Sequence, residues 1–349
     1  MPRYAKKKKR PQSLLMTVIG LLIALACFVG ENTGPVRLPQ GEGCAELYSN
    51  QGGDDLRIVY QKAIESAKES IMLAVYSLND GKTIKALKSR AADGVDVTVI
   101  VDSKASPHAE KALGTEIKTV RRSPTGLMHL KILVVDAKQV WLGSANMSYD
   151  SLRSHGNLVV GVDNPPLAKT LHDYLRAMPK TGPPPKIPTP IRFAQLGQDG
   201  DLWFLPDNDR ALKTLISTIS SATTSIKVAM FTWTHPAITQ AIIDACQRGV
   251  EVTCVIDNNQ GSASGAEVVE KLRKSCVPTY LSRGSGLLHY KMLIVDDATL
   301  VIGSANWTRS AFTRNDDCFM ILSPLNTDQQ AFLQKMWGVV LHESERSLL

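Results

Sequence analysis

From His129 to Ser148 the chain reads HLKILVVDAKQVWLGSANMS, and from His289 to Thr308 it reads HYKMLIVDDATLVIGSANWT. No other feature restricts the fold as much as this pair. The likeness extends upstream, where SIMLAVYSLNDGKTIKALKSRAADGVDVTVIVD (Ser70 to Asp102) matches SIKVAMFTWTHPAITQAIIDACQRGVEVTCVID (Ser225 to Asp257) at an offset of 155 residues. At the histidines the offset is 160, so five residues are inserted between the matched blocks of the second copy. Similarity at so long a period implies duplicated half-domains rather than a solenoid of short repeats.

Each copy has the same rhythm. LRIVYQKAIESAKES places Ile58, Ala63, Ile64 and Ala67 at near-helical spacing, and the strand IMLAVYSL follows. A helix then ends near Gly94 or Gly249. The strand VDVTVIVD or VEVTCVID ends in an acid, and the strand carrying the histidine, a short strand and a turn into another helix come next. Alternating helix and strand predicts an α/β fold, with two similar sandwich halves built on mixed or parallel sheets. Between them PKTGPPPKIPTPI, 179–191, is too rich in proline for a helix or central strand and reads as a stiff extended linker. The expected organisation is a first half over 41–178 and a second over 192–349, packed across a pseudo-two-fold axis.

Within each motif the histidine and lysine are two residues apart, which on a strand places both on one face. An imidazole beside an ammonium is costly unless an anion joins them. Gly143-Ser144-Ala145-Asn146 and Gly303-Ser304-Ala305-Asn306 form strand-to-helix turns whose small residues let backbone N–H groups and the amide approach a ligand. Two such faces brought together suit a phosphodiester. Lysines and asparagines hold the non-bridging oxygens, one neutral imidazole attacks phosphorus, and the other protonates the leaving oxygen. The chemistry needs no metal or other cofactor, because the lysines supply the positive charge.

The two H-x-K-x-x-x-x-D motifs, each followed by G-S-x-N, resemble the phospholipase D superfamily over roughly residues 54–340. The resemblance implies a covalent phosphohistidine resolved by water or an alcohol, with His129 as nucleophile and His289 as general acid. It implies phosphate binding by Lys131, Lys291, Asn146 and Asn306, with Ser144 and Ser304 as further phosphate-binding candidates that turn formation explains equally well. Asp136 and Asp296 complete the candidate catalytic set, more as structural braces than as reacting groups. Family members often carry a downstream Asn-x-acid element whose carboxylate orients a histidine. Asn315-Asp316-Asp317 supplies it here through Asp317, whereas Asn157-Leu158-Val159 lacks the acid. That difference leaves the two histidine roles open.

Composition narrows the partner. The net charge is +7, but Arg3, Lys6, Lys7, Lys8, Lys9 and Arg10 account for all but one surplus charge. A nearly neutral folded part favours a phospholipid substrate over a nucleic acid; KTVRRS (118–123) with Arg283 is a weak candidate basic groove. After the basic tail, 1–12, comes an uncharged run from 13 to 29, about 25 Å long as a helix and enough to cross a thin bilayer. It reads as a signal anchor or signal peptide. The expected protein is membrane-anchored or exported, extracytoplasmic in its catalytic part, and monomeric with an internal pseudo-dimer. The expected reaction is hydrolysis of phospholipid headgroups; a cardiolipin-synthase-like phosphatidyl transferase and an endonuclease of the same superfamily are the alternatives. The six cysteines form no C-x-x-C pair and imply no disulfide framework. His108, His155, His172, His235 and His342 read as surface or capping residues. Tyr76, Phe231, Trp233 and Trp307 read as pocket lining or core.

Overall fold

Asp55 opens the first helix by accepting hydrogen bonds from the backbone N–H groups of Arg57 and Ile58. Behind this cap, Leu56, Val59, Tyr60, Ala63 and Ile64 form one buried stripe against a sheet. The same logic repeats through a computed structural model of the chain, which describes residues 36–346, apart from Glu42 and Asn208, together with Met1. The basic tail and the apolar segment at 13–29 lie outside the described residues. Among the described residues, no helix is long and apolar enough to cross a membrane.

In the first half the elements are β1 (Glu46–Tyr48), α1 (Leu56–Glu65), β2 (Ser70–Val75), α2 (Gly81–Ala92), β3 (Asp96–Asp102), α3 (Ala109–Leu113), β4 (Lys118–Arg122), β5 (Lys131–Val135), β6 (Gln139–Gly143), α4 (Tyr149–Arg153), β7 (Val159–Asp163) and α5 (Pro165–Arg176). The second half opens with a hairpin of an added strand, β8 (Ile191–Gln195), and β9 (Gln198–Leu205), which takes the place of β1, then repeats the order. It contains α6 (Arg210–Ser220), β10 (Ser225–Met230), α7 (Pro236–Gln247), β11 (Glu251–Ile256), α8 (Asn258–Gly261), α9 (Ala266–Lys274), β12 (Thr279–Ser282), β13 (Lys291–Val295), β14 (Thr299–Gly303), α10 (Arg309–Thr313), β15 (Asp317–Ser323), α11 (Thr327–His342) and β16 (Ser344–Arg346).

Among the described residues the strands form two mixed sheets. One has seven strands in the order β1-β7-β6-β5-β2-β3-β4; the other has nine, β16-β12-β11-β10-β13-β14-β15-β9-β8. In each, two strands run parallel to the strand after the first long helix, and the motif strand joins antiparallel on its other side (β2–β3 and β2–β5; β10–β11 and β10–β13). Residues from Arg37 onward form one compact unit. Met72, Ile132 and Val134 of the first sheet share a core with Met292, Ile294 and Met320 of the second and with Leu171 of α5 and Met336 of α11. This shared apolar core, together with buried polar pairs across it such as Arg122–Asp316 and Ser49–Tyr290, holds the two halves as one body. Residues 179–190 of the linker form no helix or strand beyond an isolated bridge between Ser123 and Thr181, and Ile191, the last residue of the expected linker, opens β8.

Gly143 and Gly303 show why the motif turn needs glycine. A Cβ there would lie 2.2 Å from the Leu158 carbonyl oxygen and 2.3 Å from that of Cys318. The glycine therefore admits the neighbouring strand, not a ligand, which corrects the expectation from sequence.

Candidate active site

Both histidines lie in extended chain immediately ahead of their strands rather than within them. His129 precedes β5 and His289 precedes β13, and the two are 6% and 7% exposed. Chain from the opposite half holds each segment in place. The His129 N–H donates to the Asp316 carbonyl at 2.8 Å and the Asp316 N–H to the Leu127 carbonyl at 2.8 Å; at the equivalent place the Gly156 N–H donates to the Leu287 carbonyl at 2.8 Å.

The side chains are crossed in the same way. His129 Nδ1 lies 2.8 Å from Asp317 Oδ1, a residue of the second half. His289 Nδ1 lies 3.1 Å from Asn157 Oδ1, a residue of the first. Asn157 spends its amide hydrogens on the Ser151 carbonyl and hydroxyl, so its oxygen faces the ring and the proton sits on His289 Nδ1. Both rings thus present Nε2 away from their partners. The Ser144 hydroxyl donates to Asn157 Oδ1 at 2.8 Å and the Ser304 hydroxyl to Asp317 Oδ1 at 2.7 Å. Those matched bonds fix the correspondence between halves: Asn157 occupies the place of Asp317. Matching Asn157 to Asn315, as the Asn-x-acid pattern suggests, is two residues out of register; the 160-residue offset between the motif histidines, which pairs position 157 with 317, is the signal that finds it.

Lys131 Nζ donates to the His129 carbonyl at 2.6 Å and Lys291 Nζ to the His289 carbonyl at 2.8 Å. The aromatic rings of Tyr76 and Phe231, equivalent positions, flank the histidines at 5.1 and 4.8 Å between ring centres. They also lie 5.3 and 4.8 Å from the motif ammoniums. Trp233 and Trp307 instead pack edge to face in the core of the second half. Asn146 and Asn306 stand at the turn, half-buried; Asn306 Oδ1 accepts from the Thr232 N–H at 3.3 Å, and Asn146 Oδ1 is buried without a partner.

Burial first, and the crowding of like charges second, set the protonation states of the cationic groups. Burial, then Lys131, lowers the His129 pKa from 6.5 to about 4, against the opposing pull of Asp317. His289 is held well below its ordinary value by burial, then by Lys291, Lys131 and His129. Burial brings Lys131 down to about 7, and burial with Lys131 beside it takes Lys291 well below its usual range. Burial opposes the charge on Asp317, but His129 and Lys131 outweigh it and keep the carboxylate ionised. Groups of one motif act on those of the other, so the two motifs share one electrostatic site. Four groups able to carry positive charge, each held towards its neutral form, would regain that charge beside a bound anion.

Several candidates from sequence fall elsewhere. Asp136 and Asp296 sit at the far end of the motif strands, each with φ of 53°. Asp136 accepts from the backbone N–H groups of Lys68, Glu69 and Ser70, and Asp296 from those of Thr223, Thr224 and Ser225. They brace loops and take no place at the cleft. Ser144 and Ser304 are fully buried and engaged with Asn157 and Asp317, so they steady the histidine partners rather than contact substrate. The turn's backbone donors are also engaged: the Ser144 N–H bonds the Leu158 carbonyl and the Asn146 N–H bonds Ser151 Oγ. Arg122, part of the candidate basic groove, is fully buried; its guanidinium pairs with Asp316 and donates to the carbonyls of Pro179 and Gly182 at 2.6 and 3.0 Å. His155, read as a surface or capping residue, is half-buried and stands 6.3 Å from His289 between ring centres. His235, read as a surface or capping residue, is buried at the N-cap position of α7. Among the described residues no cluster of His, Cys, Asp or Glu is arranged to hold a metal ion.

Comparison with known proteins matches the same architecture. The family described as "Cardiolipin synthase, PLD-like domain" (PLD, phospholipase D) matches residues 60–178 and 215–337, one segment in each half and together well over half of the chain. The mitochondrial cardiolipin hydrolase of Chlamydomonas reinhardtii is 29% identical over 132 residues, covering 37% of this chain and 58% of that protein. The protein of the same name from Xenopus laevis is 31% identical over 117 residues, covering 34% and 55%. This chain therefore matches somewhat over half the length of those relatives. The crystal structure of phosphatidylserine synthase from Haemophilus influenzae superposes with a TM-score of 0.68, covering 92% of this chain and 91% of that one at 13% identity, and so shares the fold.

Proposed function

The chain belongs to the phospholipase D-like family, and from that premise we propose that it is a phosphodiesterase working through a phosphohistidine on His129, with phospholipid headgroups as its substrates. The observation that carries the reading is the asymmetric pairing of the two rings, His129 with the carboxylate of Asp317 and His289 with the amide of Asn157. Attack by Nε2 on phosphorus leaves a ring that is protonated at Nδ1 and positively charged. A buried carboxylate stabilises that cation; an amide oxygen does so far less. His129 is thus the better nucleophile. His289 is neutral in the empty site; a bound phosphodiester anion favours its taking up a second proton, at Nε2, and the amide partner leaves that imidazolium readier to give the proton to the leaving oxygen. Lys131, Lys291, Asn146 and Asn306 bind the non-bridging oxygens, where the ammoniums offset the charge that builds up at phosphorus.

The nearly neutral composition beyond the N-terminal cluster supports a lipid over a nucleic acid. Burial of Arg122 removes one basic residue from the candidate nucleic-acid groove. Attachment to a membrane through residues 13–29 and an extracytoplasmic position belong to the same proposal. The deciding experiment incubates the protein with phosphatidylcholine vesicles and with supercoiled plasmid. Choline release without nicking supports the reading, and nicking without choline release refutes it. A second outcome, capture of the phosphatidyl group by an added alcohol in preference to water, would place the chain with the transferases that the family description names.

A further inference from the structure

The pseudo-two-fold symmetry is broken beside the two histidines. On the His129 side the space between the halves is filled by the buried Arg122–Asp316 pair and by Asn315, whose Oδ1 accepts from the Leu127 N–H and whose Nδ2 donates to Asp317. At the equivalent places on the His289 side stand Ser282, Gly156 and His155. An arginine, an aspartate and an asparagine are thus replaced by two small residues and a histidine; the Tyr290 ring covers Gly156, and the volume beside Ser282 and His155 is open. It forms a groove of about 700 Å³, lined by Asp150, Ser154, His155, Asn259, Ser282 and Ser285 among others. The lining is polar, and His155, part of it, lies 6.3 Å from the His289 ring between ring centres.

Resting on the phosphodiesterase reading above, we infer that this groove receives the polar, hydroxyl-bearing arm of the phosphodiester that leaves, and the alcohol or water that later enters, with His155 as a contact to that arm. The stereochemistry requires a one-sided site. His129 Nε2 forms a bond to phosphorus while the P–O bond to the leaving arm breaks on the opposite side, and the departing oxygen takes the proton of His289 Nε2. The departing alcohol therefore emerges beside His289, where the groove opens. By microscopic reversibility the second nucleophile approaches along the same path, gives its proton back to His289 and releases His129. On the other side Arg122, Asp316 and Asn315 occupy the equivalent places.

The test uses bis-p-nitrophenyl phosphate as a generic diester, with methanol and glycerol added together as competing acceptors. Ser285→Trp, at an exposed position, fills the groove. Thr125→Trp places the same bulk at the equivalent exposed position on the His129 side. The readout is the ratio of glycerol ester to methyl ester among the products. The expected result is a tenfold or larger fall in that ratio for Ser285→Trp and less than a twofold change for Thr125→Trp. Asn259→Trp, on another wall of the groove, reproduces the fall if the first variant folds poorly. Equal effects at positions 285 and 125, or no effect at 285 and 259, overturn the groove assignment while leaving the phosphodiesterase reading intact. Absence of any p-nitrophenol release from the wild type removes that reading, and the inference falls with it.

Discussion

Replacing Asp317 by asparagine tests the reasoning most directly, because the chain already carries that arrangement at Asn157. Asp317 is fully buried, and its Oδ1 meets His129 Nδ1 at 2.8 Å and Ser304 Oγ at 2.7 Å. Hydrogen bonds to charged groups contribute about 1.5–3 kcal/mol, against about 1 for neutral pairs. The amide therefore withdraws about 1–2 kcal/mol of support from the cationic ring, which slows formation of the phosphohistidine about five- to thirtyfold. A second loss follows from Oδ2, which accepts from Asn315 Nδ2 at 3.2 Å. An amide nitrogen there sets donor against donor, and Asn315 cannot turn without giving up the Leu127 N–H. Loosening of the ring extends the expected loss to about a hundredfold. Stopped-flow release of the first p-nitrophenol from bis-p-nitrophenyl phosphate measures the step, and acid quenching with labelled substrate locates the phosphoryl group. A burst rate within threefold of wild type in a folded variant, or label on His289, would refute the argument.

Other outcomes follow from the same geometry. Asp136→Ala should cost about 1–2 kcal/mol in urea unfolding, as loss of a backbone cap does, with kcat/KM within twofold of wild type; a large fall in kcat/KM would return Asp136 to the reacting groups. Arg122→Met should cost about 3–5 kcal/mol by stranding the buried Asp316 carboxylate, and the double change Arg122→Met/Asp316→Leu should recover much of it; a single variant as stable as wild type would contradict the buried pair. Because the folded His129 titrates near pH 4 rather than 6.5, the unfolded chain takes up its proton first. Stability should therefore fall as pH drops from about 6.5 to about 4, by up to about 3 kcal/mol from this residue; urea midpoints that stay level over that window would argue against a buried neutral ring. Lys131 loses its charge above about pH 7 in the empty site, so kcat/KM should decline above that pH, and a profile flat to pH 9 would count against an ammonium contact to phosphate.

Much of this organisation was legible in the sequence because duplication repeats every signal. Helix periodicity, the glycines at the helix ends and the motif spacing gave two α/β halves, and the sheets take that form. Gly94 and Gly249 indeed follow their helices with φ of 88° and 92°. Contacts between residues far apart in the chain were not legible. Arg122 looks like a surface base in KTVRRS, yet it is buried 194 residues from its partner Asp316. His155 carries no motif, and only the fold brings it to His289. The turn G-S-x-N looks built for a ligand, but its glycine and serine serve the neighbouring strand and the crossed histidine partners.

That crosswise arrangement makes the halves mutually dependent. Cut the polypeptide within 183–190 and each fragment keeps an imidazole but surrenders the residue that aims it. Two such fragments regain activity only by reassembling, and a fragment lacking Asp317 silences the histidine of its companion rather than its own. Damage in one gene segment would therefore surface as a defect in the other.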